Sequence, residues 1–288
     1  MAIQIKTLDQ LKTMRRAGLL VGQTLELLRQ SIKVGMRTDA LDAIAAANIK
    51  RGGGTSNFLG YHGYPATICI SINDEIVHGI PGDRIIQDGD VVSIDCGAII
   101  DGWHGDAAFS YGVGTVDPAD QKMMDVCEES MWRGFAAAKV GGRLTDISHA
   151  IGSYIDSQGK YGILAEYGGH GIGTEMHQEP HVLNFGKPGN GPELIAGLAL
   201  AIEPMITRAN LRGAIEASAS SAPCGIVSNP TNQKGTVTST MRMPAAMVLK
   251  LPPPTSGNTG DRFSHLPPHK PAPMNTNVTI TKPMVSQR

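Results

Sequence analysis

Acidic side chains nearly vanish from this 288-residue chain beyond Ile206, where only Glu216 and Asp261 remain of its 26 Asp and Glu. Aromatic residues are scarce throughout, at 5%. The four cysteines, Cys69, Cys96, Cys127 and Cys224, form no Cys-x-x-Cys pair. That spacing argues against a zinc knuckle and a disulfide framework, and fits a reduced, cytoplasmic setting. No apolar run reaches the roughly 18 residues a membrane span needs. The start, Met1-Ala2-Ile3-Gln4-Ile5-Lys6, has no signal-peptide apolar core. The expectation is a cytoplasmic protein with no membrane association.

The loss of acid divides the chain by charge. The formal net charge is −1, but the segment up to residue 206 is acidic and the remainder is basic. That body carries no electrostatic footprint for nucleic acid, and the basic charges that follow are spread singly. The later segment also holds 11 of the 18 prolines, including Pro252-Pro253-Pro254. It lacks periodicity and reads as irregular or disordered. The predicted division is one domain over residues 1–206 and a Pro-rich basic tail over residues 207–288.

What the body does contain is an order of elements that runs twice. Thr7 and Gln10 form a capping box, and Leu8, Leu11, Met14, Leu19, Val21, Leu25 and Leu28 then give a helical stripe to about Ile32. Thr38 is expected to cap a second, Ala-rich helix that stops at Gly52-Gly53-Gly54. Strands follow over 66–72 and from Val91, with Asp101-Gly102 a hairpin-turn signal. Asp117 with Pro118 then starts a third helix and Thr145 a fourth. Strand-like segments lie around 163–166 and 198–202. Helix, helix, strands therefore occurs twice, which predicts an α+β fold of two similar halves.

Four residues have contexts that suit metal ligands. A turn centred on Asp101-Gly102 places residue 95 opposite residue 108, so Asp95 and Asp106 are diagonal neighbours on one face, ~7–8 Å apart. Two carboxylates so close repel, and a cation is their natural counter-charge; two solvated hairpin acids is the plainer reading. His170 lies in Gly168-Gly169-His170-Gly171-Ile172-Gly173, where the glycines remove bulk and permit unusual backbone angles. Glu203 ends the apolar run Leu198-Ala199-Leu200-Ala201-Ile202, where an acid is costly to bury unless paired or metal-bound. His78 and His177 are candidates for contacting a substrate. Tyr61, Tyr64 and Cys69 are candidates for lining an apolar pocket, or simply core.

These segments together resemble the type I methionine aminopeptidases. The stretches that carry the likeness are Tyr61-His62-Gly63-Tyr64-Pro65, Ser71 to Pro81, Ser93-Ile94-Asp95-Cys96-Gly97, Asp101-Gly102-Trp103-His104-Gly105-Asp106, Gly168 to Gly173 and Ala201-Ile202-Glu203-Pro204-Met205. The resemblance implies a pita-bread fold of two pseudo-symmetric halves around two divalent ions, with Co, Mn, Fe, Zn and Ni all compatible. It implies Asp95, Asp106, His170 and Glu203 as metal ligands. His78, His177 and Glu203 would be catalytic, and Tyr61, Tyr64 and Cys69 would surround a methionine side chain. It also implies a monomer acting on nascent polypeptide N-termini, near the ribosome, and cleaving after Met when the second residue is small.

The chain departs from that family in one respect that bears on activity. The family carries a further bridging glutamate on a late strand, in an aromatic-Glu-His-Thr context, and a Trp-containing strand nearby; neither is found here. Glu216 has the wrong context. The expectation is a second half that lacks the strand beside Glu203, leaving an unpaired edge. A frameshifted or otherwise replaced sequence after Arg208 would account for it. Non-catalytic peptide or partner binding, and X-Pro cleavage on the same fold, are the alternatives.

Overall fold

The computed structural model describes residues 2–208 and, beyond them, the backbone of Ser239–Thr240 and Met247–Val248. Helix α1 (Leu8–Ser31) begins at the expected capping box, with the Gln10 amide N–H donating to Thr7 and the Thr7 N–H to the Gln10 side chain at 2.8 Å. Its inner face buries Leu11, Met14, Val21, Leu25 and Leu28, while Leu8 stays exposed. Helix α2 (Thr38–Arg51) follows. Thr38 does not cap it. The Thr38 hydroxyl instead donates to the Gly82 carbonyl and accepts from the Gly82 N–H, so a partner 44 residues away replaces the local cap.

The first half then supplies β1 (Thr55–Ser56), a 3₁₀ turn over Tyr61–Gly63, β2 (Ile68–Ile72), β3 (Val91–Ile100) and β4 (Trp103–Gly112). Antiparallel β4 covers one edge of β3, and β2 and β1 share the other. The β3–β4 turn is Asp101-Gly102, both at positive φ (50° and 76°), as a two-residue hairpin turn requires. Asp95 pairs with Ala108 and Gly97 with Asp106, the expected register.

The second half repeats the order. Helix α3 (Pro118–Ala137) starts with the Ala119 N–H donating to Asp117 at 2.7 Å. Helix α4 (Leu144–Gln158) starts with the Arg143 N–H donating to Asp146 at 2.8 Å. Strands β5 (Gly162–Ile163), β6 (Gly169–Gly171), β7 (Gln178–Val182), β8 (Ala199–Ala201) and β9 (Ile206–Thr207) follow. Each half has its own core. Leu28, Leu41, Ile49, Ile68 and Ile94 anchor the first, and Met123, Met131, Ile147, Ile151 and Ile155 the second. At roughly 1.5–3 kcal/mol for each large aliphatic side chain fully buried, these layers hold the strand ends between them.

The edge expected to lie bare is paired. Strand β10 (Ser239–Thr240) pairs with β9, and β11 (Met247–Val248) pairs with β8, Met247 opposite Leu200 and Val248 opposite Ala199. The sheet order β11-β8-β6-β7 therefore places a strand on each side of β8. The remainder of the tail, Glu216 included, lies outside the described residues. Among the described residues, no helix is long and apolar enough to cross a membrane.

Candidate metal centre

The four predicted ligands arrive from strands of both halves. Asp106 (β4), His170 (β6) and Glu203 (just after β8) are buried and offer ligand atoms all within 4.8 Å of one another. His170 Nε2 lies 3.0 Å from Glu203 Oε1 and 3.8 Å from Asp106 Oδ2. Asp95, on β3, is the diagonal neighbour of Asp106 across the hairpin.

His170 sits on a short strand between β7 and β8, not in a loop. None of the glycines from 168 to 173 has a positive φ, so they do not serve unusual backbone angles there. They serve close approach. A Cβ on Gly169 would stand 2.1 Å from the Ala201 carbonyl oxygen, and one on Gly171 would stand 2.1 Å from that of Glu179. Glycine thus lets β6 fit between its neighbours and carry His170 to Glu203. The ring orientation is fixed too: Nδ1 is 2.9 Å from the Gly171 carbonyl, which makes Nδ1 the protonated nitrogen and leaves Nε2 free as a ligand.

The electrostatics are those of a site awaiting positive charge. Burial, then the Glu203 charge, pushes Asp95 up to about 7. Burial, then the Asp95 charge, raises Asp106 well above the ordinary carboxyl range. Burial and mutual repulsion thus favour a proton shared by the pair over two bare charges. Burial works against protonation of His170, but the charge and hydrogen bond of Glu203 outweigh it and raise His170 overall. Asp95 Oδ1 and Asp106 Oδ1 are buried without a hydrogen-bond partner. Orphaned carboxylate oxygens beside an imidazole whose Nε2 faces Glu203 and Asp106 suit a divalent cation with oxygen and nitrogen ligands.

The predicted substrate-side residues divide. His78 lines a cavity with Cys69, Val77, Ser93 and Asp95. Val77 and His78 hold positive φ of 35° and 56°, a conformation that costs of order 1–3 kcal/mol per residue and clusters at functional sites. The His78 ring packs edge-on to Tyr167, centroids 6.1 Å apart. His177 packs on His170 with centroids 4.5 Å apart, and its Nδ1 is 3.0 Å from the Tyr61 hydroxyl. Loss of solvent around the ring, then the neighbouring His170, lowers His177 to about 4, so it is neutral near pH 7.

Cys69 is a wall of the cavity, whereas Tyr64 stands behind it in a cluster with Phe58 and Met176. The Tyr64 hydroxyl donates to the Ile68 or Gly79 carbonyl, at 3.2 and 2.9 Å. Tyr61 stays at the rim, 39% exposed. Two supporting residues were not singled out from sequence. Buried Asn184 donates through Nδ2 to the Glu203 carbonyl at 2.7 Å, and Lys6 is buried beside the loop that carries His177. A polar residue among apolar neighbours, as in Leu183-Asn184-Phe185, was the available signal for Asn184.

Comparison with known proteins places this geometry. The sequence profile of Metallopeptidase family M24 matches residues 12–227, past the composition break. The methionine aminopeptidase of Clostridium acetobutylicum is 47% identical over 205 residues, covering 71% of this chain and 82% of the relative. Methionine aminopeptidase 1 of Mycobacterium tuberculosis is 48% identical over 208 residues, 70% and 78% of the two chains. The crystal structure of methionine aminopeptidase from Thermotoga maritima superposes with a TM-score of 0.74 at 31% identity, over 86% of this chain and 96% of that one. The prolidase from Pyrococcus furiosus shares the fold alone, with a TM-score of 0.65 at 19% identity over 85% of this chain and 62% of that one. Two halves with matching element order, diagonal acids on one hairpin and a His–Glu pair brought together by β6 and the end of β8 are thus the pita-bread fold, and the chain belongs to metallopeptidase family M24.

Proposed function

We propose that this chain removes the N-terminal methionine from nascent proteins and peptides whose second residue is small and uncharged. The observation that carries the reading is the convergence of Asp106, His170 and Glu203 beside Asp95, in a chain 47% identical to a methionine aminopeptidase. Asp95, Asp106, His170 and Glu203 would hold two divalent cations. Cations bound there would supply a water acidified to near neutral pH and a polarised carbonyl.

The chain's own groups do the rest. Glu203 accepts the proton of the attacking water and returns it to the leaving amine. Neutral His177 donates a hydrogen bond to the carbonyl oxygen as charge develops there. His78, in the wall shared by Cys69 and Asp95, contacts the scissile amide. Cys69, with Tyr64 behind it and Tyr61 at the rim, forms the apolar side against a methionine. The donor set does not choose between Co, Mn, Fe, Zn and Ni. The setting this reading assigns is a monomer in the cytoplasm, meeting N-termini as they leave the ribosome.

A second reading draws support from one observation. No Asp or Glu lies between Glu216 and Asp261, so β11, which pairs with β8, carries no acid. Three carboxylates then face two dications. A chain that binds peptide or a partner through the same site without turnover fits that deficit. Turnover of Met-Ala-Ser with saturating Mn²⁺ or Co²⁺, measured beside metal content per chain, separates the two. Release of Met from Met-Ala-Ser but not from Met-Lys-Ser is the expected result. Metal binding without any turnover supports the second reading, and preferential cleavage of an X-Pro peptide overturns both.

A further inference from the structure

The charged side chain at the N-terminal strap faces inward. Alternation along Ile3-Gln4-Ile5-Lys6 would bury the isoleucines and expose the lysine; instead Ile5 is 42% exposed and Lys6 only 5%. The strap is held by an antiparallel bridge between Ile5 and Leu198 and by the Lys6 N–H donating to the Gly197 carbonyl at 2.8 Å. Lys6 has no carboxylate partner among the described residues. Burial lowers it to about 8, so it remains a cation at neutral pH. A buried, unpaired ammonium is destabilising unless its hydrogen bonds accomplish something.

Its bonds join the strap to one loop. Lys6 Nζ donates to the Gln4 carbonyl at 2.9 Å and to Gln178 Oε1 at 3.3 Å, and Gln4 Nε2 donates to Thr174 Oγ1 at 3.3 Å. Gln178 opens β7 and is paired with Gly171 of β6, so it closes the connection over residues 172–177. That connection ends in His177. Its backbone lies against the lysine: a Cβ on Gly173 would stand 2.2 Å from Gln4 Oε1, 2.7 Å from Gln178 Oε1 and 2.8 Å from Lys6 Cε.

We propose that Lys6 is a positioning residue, which acts through Gln178 and Gln4 to fix the loop over residues 172–177 and thereby hold the His177 ring against Tyr61 and His170. The proposal rests on the reading of His177 as the group that meets the substrate carbonyl. It assigns the start of the chain, distant in sequence from every ligand, a part in the reaction.

The test is Lys6→Met, which keeps the stem and removes the ammonium. Amide exchange over residues 173–177 of the metal-free protein should quicken roughly 10-fold, while the hairpin over 91–112 is unchanged. Turnover of Met-Ala-Ser should fall roughly 10-fold in kcat with KM within about twofold, as misplacement of a transition-state contact produces. In a His177→Ala background the same change should have no further effect on kcat, whereas a general structural role would lower it equally in both backgrounds. If Lys6→Met does not fold, Gln178→Leu removes only the loop-side acceptor and should give the same pattern. Unchanged loop exchange overturns the proposal whatever the assay gives, because that measurement needs no turnover. Equal kcat losses in the two backgrounds, or a loss confined to KM, overturn it as well. Normal turnover of His177→Ala on its own would instead strike the reading of His177.

Discussion

His170 of β6 stands opposite Ala201 of β8, and Glu203, two residues beyond the end of β8, meets it with Oε1 3.0 Å from Nε2. Asp95 and Asp106 are also a diagonal pair, on β3 and β4, but of opposite sense: Asp95 faces Ala108, and Asp106 lies two residues before it. Each half of the fold thus contributes one diagonal pair. The first pair is two acids, mutually repelling. The second is an acid and a base, mutually attracting.

That difference separates the consequences of removing a ligand. Asp106→Asn removes one of two crowded carboxylates, so the metal-free protein should melt no lower than the parent. Metal binding and turnover should nonetheless fall at least 100-fold, above the 10–100-fold typical for losing a group that merely supports a ligand. His170→Ala should lose metal to the same degree and also lower the melting temperature, since it leaves Glu203 buried without its partner. Metal content by mass spectrometry beside thermal melts checks both; an Asp106→Asn protein that keeps its metal would remove Asp106 from the ligand set.

The metal-free protein should lose stability as pH rises. Asp95 is raised from about 4 to about 7 on folding, and Asp106 is raised as well. A carboxyl with a raised folded pKa stabilises fully below its unfolded pKa, and the contribution is lost as pH climbs through the folded value. Chelator-treated protein should therefore melt several degrees lower at pH 7.5 than at pH 5. Added Mn²⁺ should reverse the trend by taking the place of the protons. Melts at both pH values, with and without Mn²⁺, test it, and a flat chelated profile contradicts it.

The tail makes a prediction about the gene as well as the protein. Translating the other two frames beyond the codon for Arg208 should yield a Trp strand followed by an aromatic-Glu-His-Thr segment. Grafting that ending onto residues 1–208 should raise metal affinity and turnover of Met-Ala-Ser by at least roughly 10-fold. Equal turnover in the two forms would show that the tail as it stands supplies what the fourth carboxylate would have given.

Gly169 should tolerate no side chain. Gly169→Ala places a Cβ 2.1 Å from the Ala201 carbonyl, a backbone atom that yields little. Overpacking of this kind costs about 1–3 kcal/mol, and the displaced strand carries His170. Denaturant melts should show that loss together with weakened metal binding. An unaffected variant would mean that β6 and β8 have room between them.

Local chemistry was legible in the sequence, and long-range chemistry was not. Asp101-Gly102 fixes a two-residue turn, and from the turn alone Asp95 is placed opposite residue 108, as found. Thr7 with Gln10, and Asp117 with Pro118, start helices for reasons contained within a few residues. Thr38 failed that kind of reading because its hydroxyl pairs with Gly82, brought close by the tertiary fold. The glycines around His170 were legible as significant but not in their purpose, since a close neighbour is invisible until the strands are stacked. Lys6 was missed for a similar reason: period-2 patterning assigns the inner face to isoleucine, and only the loop over residues 172–177 makes the opposite choice favourable.

The diagonal pairs also set a schedule for the chain's own synthesis. Asp95 and Asp106 are neighbours as soon as one hairpin closes, a local event on the microsecond scale. The His170–Glu203 pair needs β6 bridged to β8, and uniting the two pairs needs both halves packed. A chain still on the ribosome with Glu203 inside the exit tunnel therefore presents a repelling acid pair and no complete centre. On the proposed ligand set, full-strength metal binding would mark a polypeptide whose Glu203 has emerged and docked, so metal uptake would report that the two halves have packed.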